Sequence, residues 1–442
     1  MAEVRAFQGV RYEPSRVGSI ADVVCAPYDV ITPSAQAECY ARSEHNAVRL
    51  ELGRDEPGDG ADRNRYTRAA EYLQTWLREG VLRRDEAPSL YVYEESFGVD
   101  GQTRRRRGLF AVVRLEEWER RVVLPHERTM PRPRADRLNL LRACRANLSP
   151  ILSLCEDPSG HIAGLLDAAT CQAPVVEFRL SPGAVAAAAT GHRLWRLSEP
   201  RAAESIARDL SERPLYIADG HHRYETALEY WREVKATGAG LDHPAAWVLM
   251  LLADVADPGL LVLPTHRLVR LSGLRRSGLL ERLAGLFSVQ RLDGGPGERL
   301  TDLLDEMARR SGAAPAFGVA GLEPGVLHLL TAEPSASFDT WLPRDRSPAW
   351  RRLDVTVLHG VILQGLLGLA GEEPGDGGRL AYTRDPAAAL SAVSSGEYDL
   401  AFFLNPTRVE QIREVAQAGD RMPEKSTYFW PKPPAGVVFY AH

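Results

Sequence analysis

The stretch RPLYIADGHHRYETALEYW, residues 213–231, decides how this chain is read. Its first half, PLYIA (214–218), is a short apolar run consistent with a buried strand. Its second half places Ala227, Leu228 and Trp231 on one face of a helix. Asp219, Gly220, His221, His222 and Arg223 therefore fall in the turn between strand and helix. At such a turn the leading N–H groups and the positive end of the helix dipole meet, a geometry that binds anions and phosphates above all. Gly220 lacks the Cβ that would block a tight turn or a close ligand. The Arg223 guanidinium offers a planar fork to phosphate oxygens. Asp219 can hold Mg²⁺ or accept a proton, and His221 and His222 add two imidazoles. Together these residue types suit a nucleotide triphosphate with its metal. A plain structural account competes, with Asp219 as helix N-cap and Arg223 paired with Glu225 or Glu229.

Working outward, residues 192–234 read as strand, helix, strand, turn, helix. SLYVYEESF (89–97) and TRRRRGLFAVVRL (103–115) form a hairpin pattern around Asp100-Gly101. The arginine run 104–107 is expected to be largely a solvated strand edge. VVCAPYDVI (23–31) reads as a strand ending in a turn, and Thr32-Pro33 opens a helix. RYTRAAEYLQTWLREG (65–80) has helical apolar spacing closed by Gly80, and AAWVLMLLADV (245–255) reads as a buried strand. Helices and strands mixed in this way predict an α/β (mixed α+β) fold. Three regions are expected, 1–125, 126–270 and 271–442.

The chain has 442 residues, 44% hydrophobic and 26% charged, with a net charge of -5. That composition is ordinary for a globular protein, and the acidic balance weighs against a dedicated nucleic-acid binder. Five cysteines without C-x-x-C spacing fit a reducing compartment. The opening MAEVRAFQGVRYEP has no apolar core of a secretory signal, and no run is long enough to span a membrane. A cytoplasmic protein acting on a small-molecule substrate is expected, with a homo-oligomer left open.

Four further polar clusters stand out. PHERTMPRPRADR (125–137) sets His126 and Glu127 in a proline-stiffened loop that reads equally as a binding element or a solvated loop. LPTHRLV (263–269) sets Thr265, His266 and Arg267 in or beside a strand. MPEKSTYFWPK (422–432) gathers Lys425, Ser426, Thr427 and Lys432 between prolines. APYDV sets Tyr28 and Asp29 after a proline, where Asp29 reads first as a turn cap. HERT, DGHHR, THR and EKST are expected to line one cleft. No G-x-x-x-x-G precedes Lys425-Ser426, so a Walker-type loop is rejected. The absence of H-E-x-x-H, G-x-S-x-G and G-x-G-x-x-G disfavours zinc proteases, α/β-hydrolases and dinucleotide enzymes.

The segment 192–234 resembles the ParB/sulfiredoxin-like superfamily, whose members carry a Gly-x-x-Arg or Asp-Gly-His-His-Arg motif on a phosphate-binding strand-to-helix turn. Its Asp-Gly-His-His-Arg form is most similar to that of free-serine kinases. Over nearly its whole length, the chain is identified as a member of an uncharacterised prokaryotic family, the domain of unknown function ten-fifteen. That resemblance rests on CAPYDVI, HERT with DRLNLL, YIADGHHRYETA, LPTHRLV and MPEKSTYFWPK. It implies a ParB/sulfiredoxin-like unit embedded in a larger mixed-sheet assembly. The kinase likeness implies ATP as the nucleotide, Mg²⁺ at Asp219 and phosphorylation of a small-molecule hydroxyl, with an amino acid as one candidate substrate. It also implies a glutamate base near the start of the preceding helix, where Glu199 stands. Its spacing to Asp219 is shorter than in those kinases, and Glu127 and Asp29 are rivals for the role. Two other functions stay open: a non-catalytic nucleotide-binding switch, and a metal-dependent hydrolase or lyase using His126, His221, His222 and His266.

Overall fold

The computed structural model describes residues 1–99, 101–129, 131–183, 185, 188–271, 278–333, 336–369 and 378–442. Asp100 of the hairpin turn lies outside the described residues. The fold is mixed α+β, and the chain forms two compact units. The first comprises Met1–Pro125, Thr129–Leu261 and Phe429–His442; the second comprises His126–Arg128 and Val262–Tyr428. These units are not runs of consecutive sequence, because the last segment of the chain returns to the first unit.

The first unit is built on a nine-stranded sheet. Its strands are β1 (Val4–Arg5), β2 (Leu90–Val99), β3 (Gln102–Arg114), β4 (Val123–Leu124), β5 (Ile151–Cys155), β6 (Val176–Leu180), β7 (Thr190–Leu197), β8 (Leu215–Asp219) and β9 (Trp247–Asp254). They lie in the order β4-β8-β5-β9-β3-β2-β7-β6, and β1 pairs with β3. The pairs β8–β4 and β9–β5 are parallel. The pairs β8–β5, β9–β3, β3–β2, β2–β7 and β7–β6 are antiparallel. β9 is buried for seven of its eight residues, as its unbroken apolar sequence predicts for a central strand.

The hairpin forms as its sequence predicts, but β3 is no solvated edge. It is an inner strand between β9 and β2, and Arg106 within its basic run is only 2% exposed. Alternation decides which arginine turns inward, since successive side chains point to opposite faces. VVCAPYDVI departs further from the expectation. Ile20–Val23 is a helical turn, Cys25 makes only an isolated bridge with Ala435, and Tyr28–Val30 is a 3-10 turn. Pro27 accounts for part of this, because it has no N–H to give to a ladder. Thr32 caps the helix Pro33–Arg42 as expected, its hydroxyl accepting the Ala35 N–H at 3.2 Å.

The order strand, helix, strand, turn, helix over 192–234 is found as β7, the helix Pro200–Ser211, β8 and the helix His221–Ala236. The two strands are not neighbours. Four strands separate them in the sheet, which is about 24 Å at roughly 4.8 Å per strand.

The second unit carries a six-stranded sheet of β10 (His266–Val269), β11 (Phe287–Leu292), β12 (Ala316–Ala320), β13 (Leu327–Ala332), β14 (Leu380–Thr383) and β15 (Leu400–Leu404), ordered β11-β13-β12-β15-β10-β14. Every pairing in it is antiparallel. The helix Pro296–Arg310 covers it through Leu300, Leu303 and Met307. No helix among the described residues is long and apolar enough to cross a membrane.

In the first unit, the turn Asp257-Pro258-Gly259 docks on β3. One Asp257 oxygen accepts the Gly259 N–H at 2.7 Å and the other accepts the Arg107 N–H at 3.0 Å. A Cβ on Gly259 would collide with the Arg105 carbonyl. Gly259→Ala is therefore expected to destabilise the first unit by about 1–3 kcal/mol, the usual range for overpacking. Urea unfolding measures it, and an unchanged midpoint would mean that the turn does not seat on β3.

Candidate functional site

β8 ends at Asp219, Gly220 makes the turn with φ 98°, and the helix begins at His221. Only glycine takes that backbone conformation without strain. The first ladder bond of the helix runs from the Tyr224 N–H to the Gly220 carbonyl at 3.1 Å. His221, His222 and Arg223 thus supply the helix's leading turn, where anions are favoured. The helix is held down by Tyr224, Ala227, Leu228 and Trp231, all buried.

The charges around this turn form one chain of ion pairs. The Lys432 ammonium contacts Asp29 and lies 2.6 Å from one oxygen of Asp219. The other Asp219 oxygen accepts from Arg223 at 2.6 Å. The second terminal nitrogen of Arg223 donates to the Pro150 carbonyl, and its Nε is buried with no hydrogen-bond partner. Burial alone would raise the Asp219 pKa, but Lys432 and Arg223 overcome it and hold the carboxyl well below the usual range. Burial works in the opposite sense on Lys432, and the two aspartates outweigh it and raise its pKa, so the ammonium keeps its proton.

A second set of contacts supports the first. Glu51 is 2% exposed. One of its oxygens accepts the Ser149 hydroxyl at 2.9 Å and the Tyr28 N–H at 3.4 Å. Arg137 donates to the Glu51 carbonyl at 2.7 Å and to Asp136 at 2.8 Å, and its guanidinium stands 4.1 Å from the Tyr28 ring centre. Burial pushes the Tyr28 phenol up to about 12, against the lowering by Arg223. CAPYDVI, DRLNLL, DGHHR and the end of MPEKSTYFWPK therefore meet in the first unit.

The position of Lys432 is itself anchored by the basic run of β3. Arg106 pairs with Glu95 at 2.6 Å and donates to the Pro431 carbonyl at 2.6 Å. Phe97 packs edge-on against Trp430 with ring centres 5.0 Å apart.

The other expected site residues assemble in the second unit. His126 Nε2 is 2.9 Å from the Thr427 hydroxyl, and the His126 carbonyl accepts the Met422 N–H at 2.7 Å. Glu127 accepts the Lys425 N–H at 3.3 Å. Arg267 donates to the Thr265 carbonyl, to the Lys425 carbonyl at 3.1 Å and to His359 at 3.2 Å. Ser426 bonds the Pro423 carbonyl. His266 accepts the Leu404 N–H at 3.3 Å through Nδ1. Burial lowers the pKa of His266 to about 4 and that of Arg267 to about 10. His126 and Glu127 of HERT thus come together with THR and EKST in the second unit, while Thr129 and DGHHR belong to the first.

Three expectations are corrected. Glu199 is an exposed residue just ahead of the helix that follows β7, so the sheet order sets it far from Asp219. Both oxygens of Asp219 are taken by cations, so this residue set does not fit a protein-held Mg²⁺. The four-histidine metal site also fails, because no group of three or more His, Cys, Asp or Glu among the described residues could hold a metal.

The family model described as "Protein of unknown function (DUF1015)" matches residues 4–356. The chain belongs to that family. No curated protein matches it. Among solved structures, it is similar to a free serine kinase in complex with AMP at 13% identity and TM-score 0.35, covering 72% of this chain and 86% of the other. A mutant free serine kinase in complex with ADP gives 11% identity and TM-score 0.35, covering 72% and 87%. A conserved hypothetical protein from Pyrococcus furiosus gives 13% identity and TM-score 0.34, covering 74% and 93%.

Lys432→Met is expected to cost about 3–5 kcal/mol, because it leaves two carboxylates without their shared cation. The folded-state pKa of Asp219 lies below its unfolded value. Its contribution to stability is therefore full above the unfolded carboxyl pKa of about 3.9 and is lost as pH falls towards the folded value. Urea midpoints followed down through that range should fall less steeply in Lys432→Met than in the wild type; equal slopes would sink this account.

Proposed function

We propose that this chain is a nucleotide-dependent phosphotransferase, with ATP phosphates at the Asp219–Arg223 turn and a small-molecule hydroxyl as acceptor. The observation that carries this reading is the Gly220 turn itself, which leads from β8 directly into a 16-residue helix beside two largely buried cations. Phosphoryl transfer depends chiefly on positioning and charge neutralisation. The helix N-terminus and the imidazoles of His221 and His222 would meet the phosphates, and Lys432 would balance charge developing on them. Asp29 is the more open carboxylate of the network, with its side chain 36% exposed against 19% for Asp219. It would take the acceptor's proton. Any Mg²⁺ would arrive on the nucleotide's own phosphates rather than on Asp219. We place the protein in the cytoplasm, in keeping with its free cysteines, four of them buried.

One observation favours a second reading. Lys432, Asp219 and Arg223 already neutralise one another, as they would in a nucleotide-binding switch that performs no chemistry. Equilibrium binding of ATP and a ³¹P NMR assay with hydroxyl acceptors separate the two. The enzyme reading expects binding and transfer, with transfer lost in Asp29→Asn. The switch reading expects binding alone. In either case His222→Gln should weaken ATP binding about tenfold, which is about 1.4 kcal/mol, with the melting temperature little changed. Wild-type affinity in both His222→Gln and Asp219→Asn would end the nucleotide reading.

A further inference from the structure

The first unit contains a second cavity, away from the Gly220 turn. It has a volume of about 180 Å³ and lies where β5 and β9 end, beneath the helix His161–Thr170. The strand register separates it from the candidate site. Asp219 is paired with Leu152, near the start of β5, whereas the cavity is walled by Cys155 at its other end. Three residue steps along the strand separate them, about 10 Å at roughly 3.4 Å per residue.

The walls have two characters. Leu109, Ile162, Leu166, Leu210 and Leu252 are each less than a tenth exposed and form an apolar chamber. An apolar cavity of about 150 Å³ is large enough to take up a benzene ring. The remaining wall is acidic, with Asp157, Asp254 and Asp257 set against the single cation Arg107, which is itself paired with Asp167. Two of the three aspartates are spent on local turns. Asp157 accepts the Ala163 N–H at 2.8 Å and the Ser159 hydroxyl at 3.2 Å. Asp257 accepts from Gly259 and Arg107. Asp254 uses only Oδ1, towards the Ala256 N–H at 3.2 Å. Its Oδ2 accepts no hydrogen bond among the described residues. Asp254 is also the register partner of Cys155, which places it at the cavity wall.

We propose that this cavity is a binding site for a small amphipathic amine, with its apolar body between the leucines and its ammonium group on Asp254. A neutral apolar molecule would leave the open carboxylate unanswered, and an anion would meet three like charges. The assignment does not rest on the nucleotide reading, since the two sites share no residue.

The test uses the full chain with three probes of the same shape, namely benzylammonium, benzyl alcohol and benzoate. Thermal shift reports binding, and amide hydrogen exchange over Ile162–Leu166 and Val255 reports its place. Benzylammonium should raise the melting temperature, slow exchange in those segments and bind at least tenfold tighter than benzyl alcohol, with benzoate inert. Leu166→Trp fills the chamber and should abolish the protection. Asp254→Asn keeps the shape and should bring the amine's affinity down to that of the alcohol, which keeps the test decisive if Leu166→Trp does not fold. Absence of local protection by the amine, equal binding of amine and alcohol in the wild type, or an undiminished amine preference in Asp254→Asn would each overturn the assignment.

Discussion

The Lys432 ammonium between Asp29 and Asp219 is the contact on which the first unit turns. Each of these charges costs several kcal/mol to bring out of water, and removing one partner strands the rest. The cluster is tolerable because its signs alternate, Asp29, Lys432, Asp219, Arg223, with the Pro150 carbonyl at its end. Such an arrangement exists only when four distant segments of chain are present together. It therefore couples the return of Phe429–His442 to the placement of the Gly220 turn. Arg106 and Glu95 reinforce the same requirement by seizing the Pro431 carbonyl immediately before the lysine.

The two units treat a buried cation differently. Lys432 faces carboxylates, and its pKa is raised against the pull of burial. Arg267, 1% exposed, is met by backbone carbonyls, His359 and the Tyr382 ring, and burial lowers its pKa to about 10. Carbonyl dipoles satisfy N–H groups but return less electrostatic energy than a full negative charge. Arg267 therefore reads as a structural clamp on Glu424 and Lys425, whereas Lys432 joins two carboxylates.

The sheet of the first unit gives its two ends separate chemistry. At one end, β8 delivers Asp219 and a glycine turn into a helix. At the other, β5 and β9 stop at Cys155 and Asp254, around an apolar chamber. Antiparallel pairing of β8 with β5 makes this separation, because the C-terminal end of one strand lies beside the N-terminal end of the other.

Local pattern in the sequence determined the strand PLYIA, the glycine turn, the helix after it, the Thr32 cap and the buried strand at Trp247–Asp254. Each depends on residues a few positions apart, through periodicity, capping or freedom in φ. The mixed α+β class follows from the same signals. Tertiary structure alone decided that Arg106 would be buried beside Glu95, that Glu199 would lie four strands of sheet away from β8, and that Lys432 would meet Asp29 and Asp219. No local signal separates Lys432 from Lys425, for both stand in one proline-flanked cluster. What distinguishes them is strand order and the path of the chain's last segment, which are set by burial summed over the whole sheet rather than by any neighbouring residue.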